Sequence, residues 1–331
     1  MDLEGVLRVP RHPPEGGEEG FFGEDFWVGK IPNCKNTMKR LLVIINPISG
    51  ISSKKSVAST IKSHIDTTKY NVTMLFTKYA GHATVLAEAA VREGVDVVVA
   101  VGGDGTVNEV ASALVKTDTA LGIIPCGSGN GLARHLHIPM NLRKAVAIIN
   151  TGITDLIDTM TVNGRPCFCT AGVGYDAQVS AEYAKESRRG LMTYVRKAIA
   201  SWFKYEPQEY IIETDNQILK RKAVTITCAN ANQWGNEFHV APKASLRDGL
   251  IDVTIIHPIK FFNALAMPVQ ILGYSFDQNP DVECFKTECL TIRSDGEGAM
   301  HIDGEVVEGE KDIKIEVLKK SLRVCFIPRV S

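Results

Sequence analysis

The residues best suited to chemistry are acids and hydroxyls set among glycines. Val101-Gly102-Gly103-Asp104-Gly105-Thr106-Val107-Asn108-Glu109 directly follows the apolar run Val95 to Val101. Glycine lets the backbone approach an anionic oxygen, and a helix opening at such a turn offers unpaired N–H groups to phosphate. Asp104 is then placed to act on a divalent cation or on an incoming hydroxyl. The glycines alone would serve equally for a tight strand-to-helix turn; the added acid and hydroxyl favour a phosphate site. Two more turns share this placement. Asn46-Pro47-Ile48-Ser49-Gly50 follows the first apolar strand, and Pro125-Cys126-Gly127-Ser128-Gly129-Asn130 follows the run Leu121 to Ile124.

Buried strands and amphipathic helices must position these turns. Leu41 to Ile45, Val72 to Thr77, Val95 to Val101 and Leu121 to Ile124 read as strands, with helices at Val57 to Ile65, His82 to Glu93 and Val107 to Leu114. Apolar strands alternating with helices predict a doubly wound parallel sheet, with ligands at the carboxyl ends of its strands. After about Thr151 the text becomes strand-rich: Leu156 to Val162, Cys167 to Ala171, Glu209 to Thr214, Val224 to Ala229, Leu250 to Ile256, Cys289 to Ser294 and Ile313 to Val317. Turn pairs such as Asn163-Gly164 and Asp303-Gly304 separate these runs, which suits a mostly antiparallel domain. The expected fold is therefore α/β, with an N-terminal doubly wound domain over 38–152, a β-rich domain over 153–321 and the active-site cleft between them. The final strand, within 322–328, could join either domain.

Composition narrows the class without naming a partner. With 44% hydrophobic residues and a formal net charge of -1, the chain has material for two cores and no broad polyanion-binding surface, so no nucleic-acid partner is expected. The eight cysteines are scattered without zinc spacing and read as reduced thiols of a cytoplasmic protein. No apolar run approaches the roughly 20 residues that span a bilayer. Residues 1–37, rich in Gly, Pro and acids, read as a disordered or non-core extension, with Met38 a candidate natural start. Lys185 to Lys204 carries Leu191, Tyr194, Val195, Ala198, Ile199 and Trp202 at helical spacing, with a basic rim including Arg188 and Arg189. The apolar stripe suits the core of the second domain, and the rim suits anionic headgroups.

The nucleotide site is of neither familiar kind, since G-x-x-x-x-G-K-[ST], the protein-kinase motifs and G-x-G-x-x-G are all absent. From Met38 to the C-terminus the chain instead resembles the diacylglycerol kinase catalytic-domain family, which includes bacterial lipid kinases and sphingosine and ceramide kinases. The resemblance rests on Asn46-Pro47-x-Ser49-Gly50, Gly102 to Thr106 with Asn108-Glu109, Gly127 to Asn130, Gly174-Tyr175-Asp176-Ala177, Asp248-Gly249-Leu250-Ile251-Asp252 and Asp303-Gly304-Glu305, in the family order.

The resemblance implies an ATP- and Mg²⁺-dependent kinase of a lipid alcohol, diacylglycerol or a sphingoid base, visiting the membrane surface from the cytoplasm. It places Asn46, Pro47, Ile48, Ser49, Gly50, Thr77, Gly102, Gly103, Asp104, Gly105, Thr106, Val107, Asn108, Glu109, Gly127 and Ser128 around ATP. It implies a structural Mg²⁺ held by the Asp248 carboxylate and the backbone oxygens of Ser245 and Leu250, although Asp248-Gly249 reads equally as a hairpin turn. Glu305 is the first choice of proton acceptor, with Asp303 in the Mg²⁺ and water network; Asp104 is the alternative base, and Asp158 and Asp176 are weaker candidates. A lipid hydroxyl is a poor nucleophile, so a carboxylate must take its proton. A homodimer is compatible with the sequence, which does not set the oligomeric state. An NAD kinase, which shares a Gly-Gly-Asp-Gly loop, and a catalytically silent lipid-binding protein are the competing readings.

Overall fold

The computed structural model describes residues 38–48, 54–184, 205–233, 238–259, 269–294, 300–308 and 310–328. Ser49, Gly50, the N-terminal extension and the basic segment Lys185 to Lys204 lie outside these residues.

Strands β1 (Lys39–Ile45), β2 (Tyr70–Phe76), β3 (Val97–Gly102) and β4 (Ala120–Pro125) pair in parallel in the order β2-β1-β3-β4. β3 and β4 are buried along their whole length, as expected for strands covered on both faces. Helices α1 (Lys54–His64), α2 (His82–Arg92), α3 (Asp104–Leu114), α4 (Gly131–His135) and α5 (Leu142–Thr151) cover the sheet. The sequence reading did not single out α4 or α5. α5 is bounded at one end by Asn141, whose side chain accepts from Lys144 N–H at 3.1 Å, and at the other by Gly152 at φ +69°.

The second half contains β5 (Thr154–Val162), β6 (Arg165–Cys167), β7 (Thr170–Gly174), α6 (Tyr175–Ala184), β8 (Gln208–Thr214), β9 (Ile218–Ala223), β10 (Thr225–Ala229), β11 (Ile251–Ile256), β12 (Val282–Thr287), β13 (Cys289–Ser294), β14 (Met300–Ile302), β15 (Glu305–Val307) and β16 (Asp312–Cys325). A six-stranded antiparallel sheet runs β12-β11-β10-β7-β14-β15. It packs against antiparallel strands of the first sheet, burying Met160, Ile212, Ile226, Val253, Ile292 and Ile315 between the layers. The fold is thus an N-terminal parallel α/β unit followed by a β-rich sandwich.

β16 joins the two. Its early residues pair with β13 and β5, and near its end Val324 lies beside Leu121 of β4. The runs Ile313 to Val317 and Leu322 to Ile327 therefore belong largely to one strand. Between them the register shifts at Leu318/Leu322, and Lys320 adopts φ +49°.

Candidate active site

The loops after β1, β3 and β4 meet at the carboxyl edge of the parallel sheet. The loops of Gly103 and Gly127 touch backbone to backbone: a Cβ on Gly127 would lie 2.6 Å from Gly103 Cα. Glycine is therefore required at 127 by close approach alone. Gly103 is the N-cap of α3, so the first-turn N–H groups of that helix face this edge, a ready anion site.

Asp104 holds the third loop in place. Its two carboxylate oxygens accept the Asn130 N–H at 2.8 Å and the Gly131 N–H at 2.7 Å, at the start of α4. Asn130, in the left-handed region at φ +54°, closes the loop by accepting from Gly127 N–H and donating to Gly127 O. In the first loop, Asn46 Nδ2 donates to Thr106 Oγ1 at 3.0 Å, and Asn46 Oδ1 accepts from Ile48 N–H, leaving the Ile48 side chain 88% exposed. Pro47 continues that turn, and Thr77 N–H donates to Ile45 O at the neighbouring strand end.

Not every expected nucleotide contact faces the same way. Gly102 packs against the Thr106 side chain, Val107 is buried in the N-terminal core, and Ser128 is exposed on the loop. The Glu109 carboxylate turns to the start of α2, accepting from Gly81 N–H at 2.9 Å and Ala83 N–H at 3.0 Å. It therefore caps a helix, as an acid at a helix N-terminus does favourably.

The second half approaches through the β14–β15 hairpin, whose turn Asp303-Gly304 has both residues at positive φ. Asp303 Oδ1 accepts from the N–H groups of Cys169 at 2.7 Å and Thr170 at 3.1 Å, and from Cys167 Sγ at 3.3 Å. Its Oδ2 accepts from Phe168 N–H at 2.9 Å and from Asn108 Nδ2 of α3 at 2.7 Å. The five donors fill the carboxylate's roughly four lone-pair positions. Burial holds its pKa above the ordinary carboxylate value, with the amides of Phe168 and Cys169 pulling the other way.

Glu305 is free of such a cradle. It is exposed, and its Oε1 lies 3.4 Å from where a Cβ on Gly105 would stand, so the carboxylate reaches the first turn of α3. Its pKa is raised by partial desolvation and then by the negative charges of Glu109 and Asp303.

The weaker candidates make contacts within the β-rich half. Asp158 is buried and accepts from Gly249 N–H at 2.8 Å and Lys320 N–H at 2.7 Å, tying two turns together. Asp176 accepts from Thr227 Oγ1 and pairs with His301 Nε2, both at 3.1 Å, in the space that Gly172 leaves open. In the loop expected to bind metal, Ser245 Oγ accepts from Arg247 N–H, Asp248 Oδ1 from Leu250 N–H, and Asp248 Oδ2 from Lys286 Nζ at 2.7 Å. Lys286 carries no motif, so sequence spacing could not have found it; only the register of β12 against β11 brings it there.

Residues 40–162 match the family model described as the diacylglycerol kinase catalytic domain, and residues 169–326 match the YegS C-terminal NAD kinase beta sandwich-like domain. The chain belongs to the diacylglycerol kinase catalytic-domain family. A Synechocystis uncharacterized protein, sll0036, is 30% identical over 304 residues, covering 86% of this chain and 70% of that one. A diacylglycerol kinase of Bacillus subtilis is 28% identical over 274 residues, covering 81% and 90%. The crystal structure of a diacylglycerol kinase from Bacillus anthracis superposes with a TM-score of 0.68 at 20% identity, covering 89% of this chain and 99% of that one, which supports the fold. Membership makes the chain a phosphotransferase of the lipid-kinase type, a class that uses ATP. Among the described residues no helix is long and apolar enough to cross a membrane.

Proposed function

We propose that this protein transfers the γ-phosphoryl group of ATP to the hydroxyl of a lipid alcohol, diacylglycerol or a sphingoid base, with Glu305 as proton acceptor. The observation that carries the proposal is the meeting of Glu305, from the β-rich half, with the first turn of α3, from the parallel half. Helix N–H groups at Gly103 to Thr106 receive phosphate oxygens, and Glu305 faces them with a pKa raised toward the working range of a general base.

The other carboxylates are better suited to positioning. Asp303 is saturated with donors, so it holds the hairpin and Asn108 in register. Asp104, with one lone pair left on each oxygen, keeps the Gly127 to Asn130 loop against α3. Asp104 is then the acid that would hold a Mg²⁺ entering with the triphosphate, leaving Glu305 free for the proton; among the described residues no group of three or more His, Cys, Asp or Glu is arranged to bind a metal without it. The ion would neutralise charge on the β and γ oxygens. Asn46 and Thr106 brace the opposite wall, and the lipid hydroxyl enters from the β-rich side, at the membrane surface.

The test is transfer of label from γ-labelled ATP, with Mg²⁺, to diacylglycerol, sphinganine, ceramide or monoacylglycerol in mixed micelles, with NAD as a soluble control. Label in a lipid, lost in Glu305→Gln while ATP still binds, is the expected result. Label in NAD alone would refute lipid transfer, and no label in any acceptor would favour a silent lipid binder.

A further inference from the structure

The loop from Ser245 to Leu250, expected to hold a structural Mg²⁺ through the Asp248 carboxylate and the Ser245 and Leu250 backbone oxygens, faces a lysine. Lys286 Nζ lies 2.7 Å from Asp248 Oδ2 and 3.1 Å from Asp252 Oδ2, and donates to Lys243 O at 3.0 Å. An ammonium has three donors, and here three oxygens surround it. Two belong to acids and one to a backbone carbonyl, the donor set a hard cation would take.

The arrangement is built by the sheet and does not depend on a wandering surface side chain. Lys286 on β12 stands directly opposite Asp252 on β11 in the antiparallel register, and Asp248 closes the turn that leads into β11. The Asp252 side chain is only 12% exposed, and its buried Oδ2 accepts no hydrogen bond, facing Lys286 Nζ at 3.1 Å through charge alone. Of the groups expected to hold the ion, the Asp248 carboxylate is the one this ammonium takes, so a divalent ion there would sit against a fixed positive charge and would have to complete its coordination around the lysine.

We infer that Lys286 is a resident cation that replaces the divalent ion in this loop, so that the β-rich half folds and stays folded without a structural metal. The replacement binds the two acidic residues and the Lys243 carbonyl from within the chain, and the stability of this region is then insensitive to chelators. This inference is independent of the catalytic reading, because it concerns a site defined by Asp248, Asp252 and Lys286 and is read without nucleotide or lipid.

The experiment is thermal unfolding of the full chain, without nucleotide, in chelator and then in excess Mg²⁺ or Ca²⁺, for wild type, Lys286→Gln and Lys286→Gln/Asp248→Asn. Wild type should keep the same midpoint in all three conditions. Lys286→Gln should lose several degrees in chelator and regain them with either cation, and the double variant should lose that recovery. A wild-type midpoint that rises with Mg²⁺, with the rise abolished by Asp248→Asn, would overturn the inference. So would a Lys286→Gln chain that neither cation restores, which would leave an ordinary ion pair. Should Lys286→Gln fail to fold, equilibrium dialysis of wild type against Mn²⁺ decides: no bound ion supports the replacement, and one tightly bound ion lost in Asp248→Asn refutes it.

Discussion

Replacing Asp303 with asparagine is the sharpest probe of how the two halves are joined, because the change removes a charge and almost no volume. Oδ2 accepts from Phe168 N–H and Asn108 Nδ2, while Oδ1 accepts from Cys169 N–H and Thr170 N–H. With its NH₂ at the Oδ1 position the new amide meets the Cys169 and Thr170 N–H donors; at the Oδ2 position it meets the Phe168 N–H alone, because Asn108 can turn its own amide to accept, so the second orientation is favoured with one donor unpaired. A buried donor left unpaired costs about 1–3 kcal/mol. The pKa of Asp303 is raised by burial, so its charge is held at a cost that a neutral amide relieves. That relief favours the low end, so we expect a loss of roughly 1 kcal/mol from the one unpaired donor. For a chain of this size the midpoint of thermal unfolding should fall by about 2 °C. The reciprocal exchange, Asp303→Asn with Asn108→Asp, lets the new amide donate to the new carboxylate at position 108 and should recover about half the loss, as coupled neighbours do. Calorimetry on the two single variants and the double variant reads all three values. An Asp303→Asn chain within about 1 °C of wild type, or a double variant no better than the sum of the singles, would refute the pinned-hairpin reasoning.

Four further outcomes follow from the same geometry. Glu305→Gln should lower kcat by about 10²–10⁴-fold with little change in KM for ATP, read by single-turnover phosphate transfer. Because the Glu305 carboxyl is raised in the folded enzyme and the base form is the deprotonated one, wild-type kcat should fall as pH drops through that raised value, above the ordinary glutamate pKa of about 4.3. That acid limb should vanish from the residual rate of Glu305→Gln. Asp104→Ala frees the Asn130 and Gly131 N–H groups and should raise KM for ATP by about tenfold, the equivalent of one charge-assisted hydrogen bond, in a nucleotide titration. Gly127→Ala forces a methyl to within 2.6 Å of Gly103 Cα and should cost about 1–3 kcal/mol in thermal unfolding, whereas Gly103→Ala, at 3.3 Å from Gly127 Cα, should cost less. Equal midpoints for the two alanine variants would mean that the loops do not touch as described.

The parallel half was readable because its physics is local. β3, Val97–Gly102, is apolar at every position and ends in the glycines that open α3, so strand, turn and helix announce themselves in one stretch. The hairpin turns Asn163-Gly164 and Asp303-Gly304 were likewise visible from their residue types. The edge strands β9 and β12 were not, since Lys220, Arg221 and Lys222 in one and Glu283 and Lys286 in the other dilute any apolar alternation. Lys319, Lys320 and Ser321 looked like a break between two strands and are an irregularity within β16. Side-chain roles were harder still. Asp104 and Glu109 both sit in the glycine motif, yet the fold directs one to the start of α4 and the other to the start of α2, choices set by helix positions elsewhere along the chain. A cross-strand partner such as Lys286 follows from register, and register is a long-range property.

The placement of β16 bears on how the chain is made. During synthesis the four parallel strands emerge first, and the flank of β4, buried at every residue from Ala120 to Pro125, has no neighbour on that side until Val324 arrives some two hundred residues later. An apolar strand edge waiting that long is an invitation to intermolecular pairing. At about 5–20 residues per second the nascent chain spends on the order of ten seconds or more in that condition, so its yield in a cell should depend on holding factors at the ribosome more than on the final stability of either half.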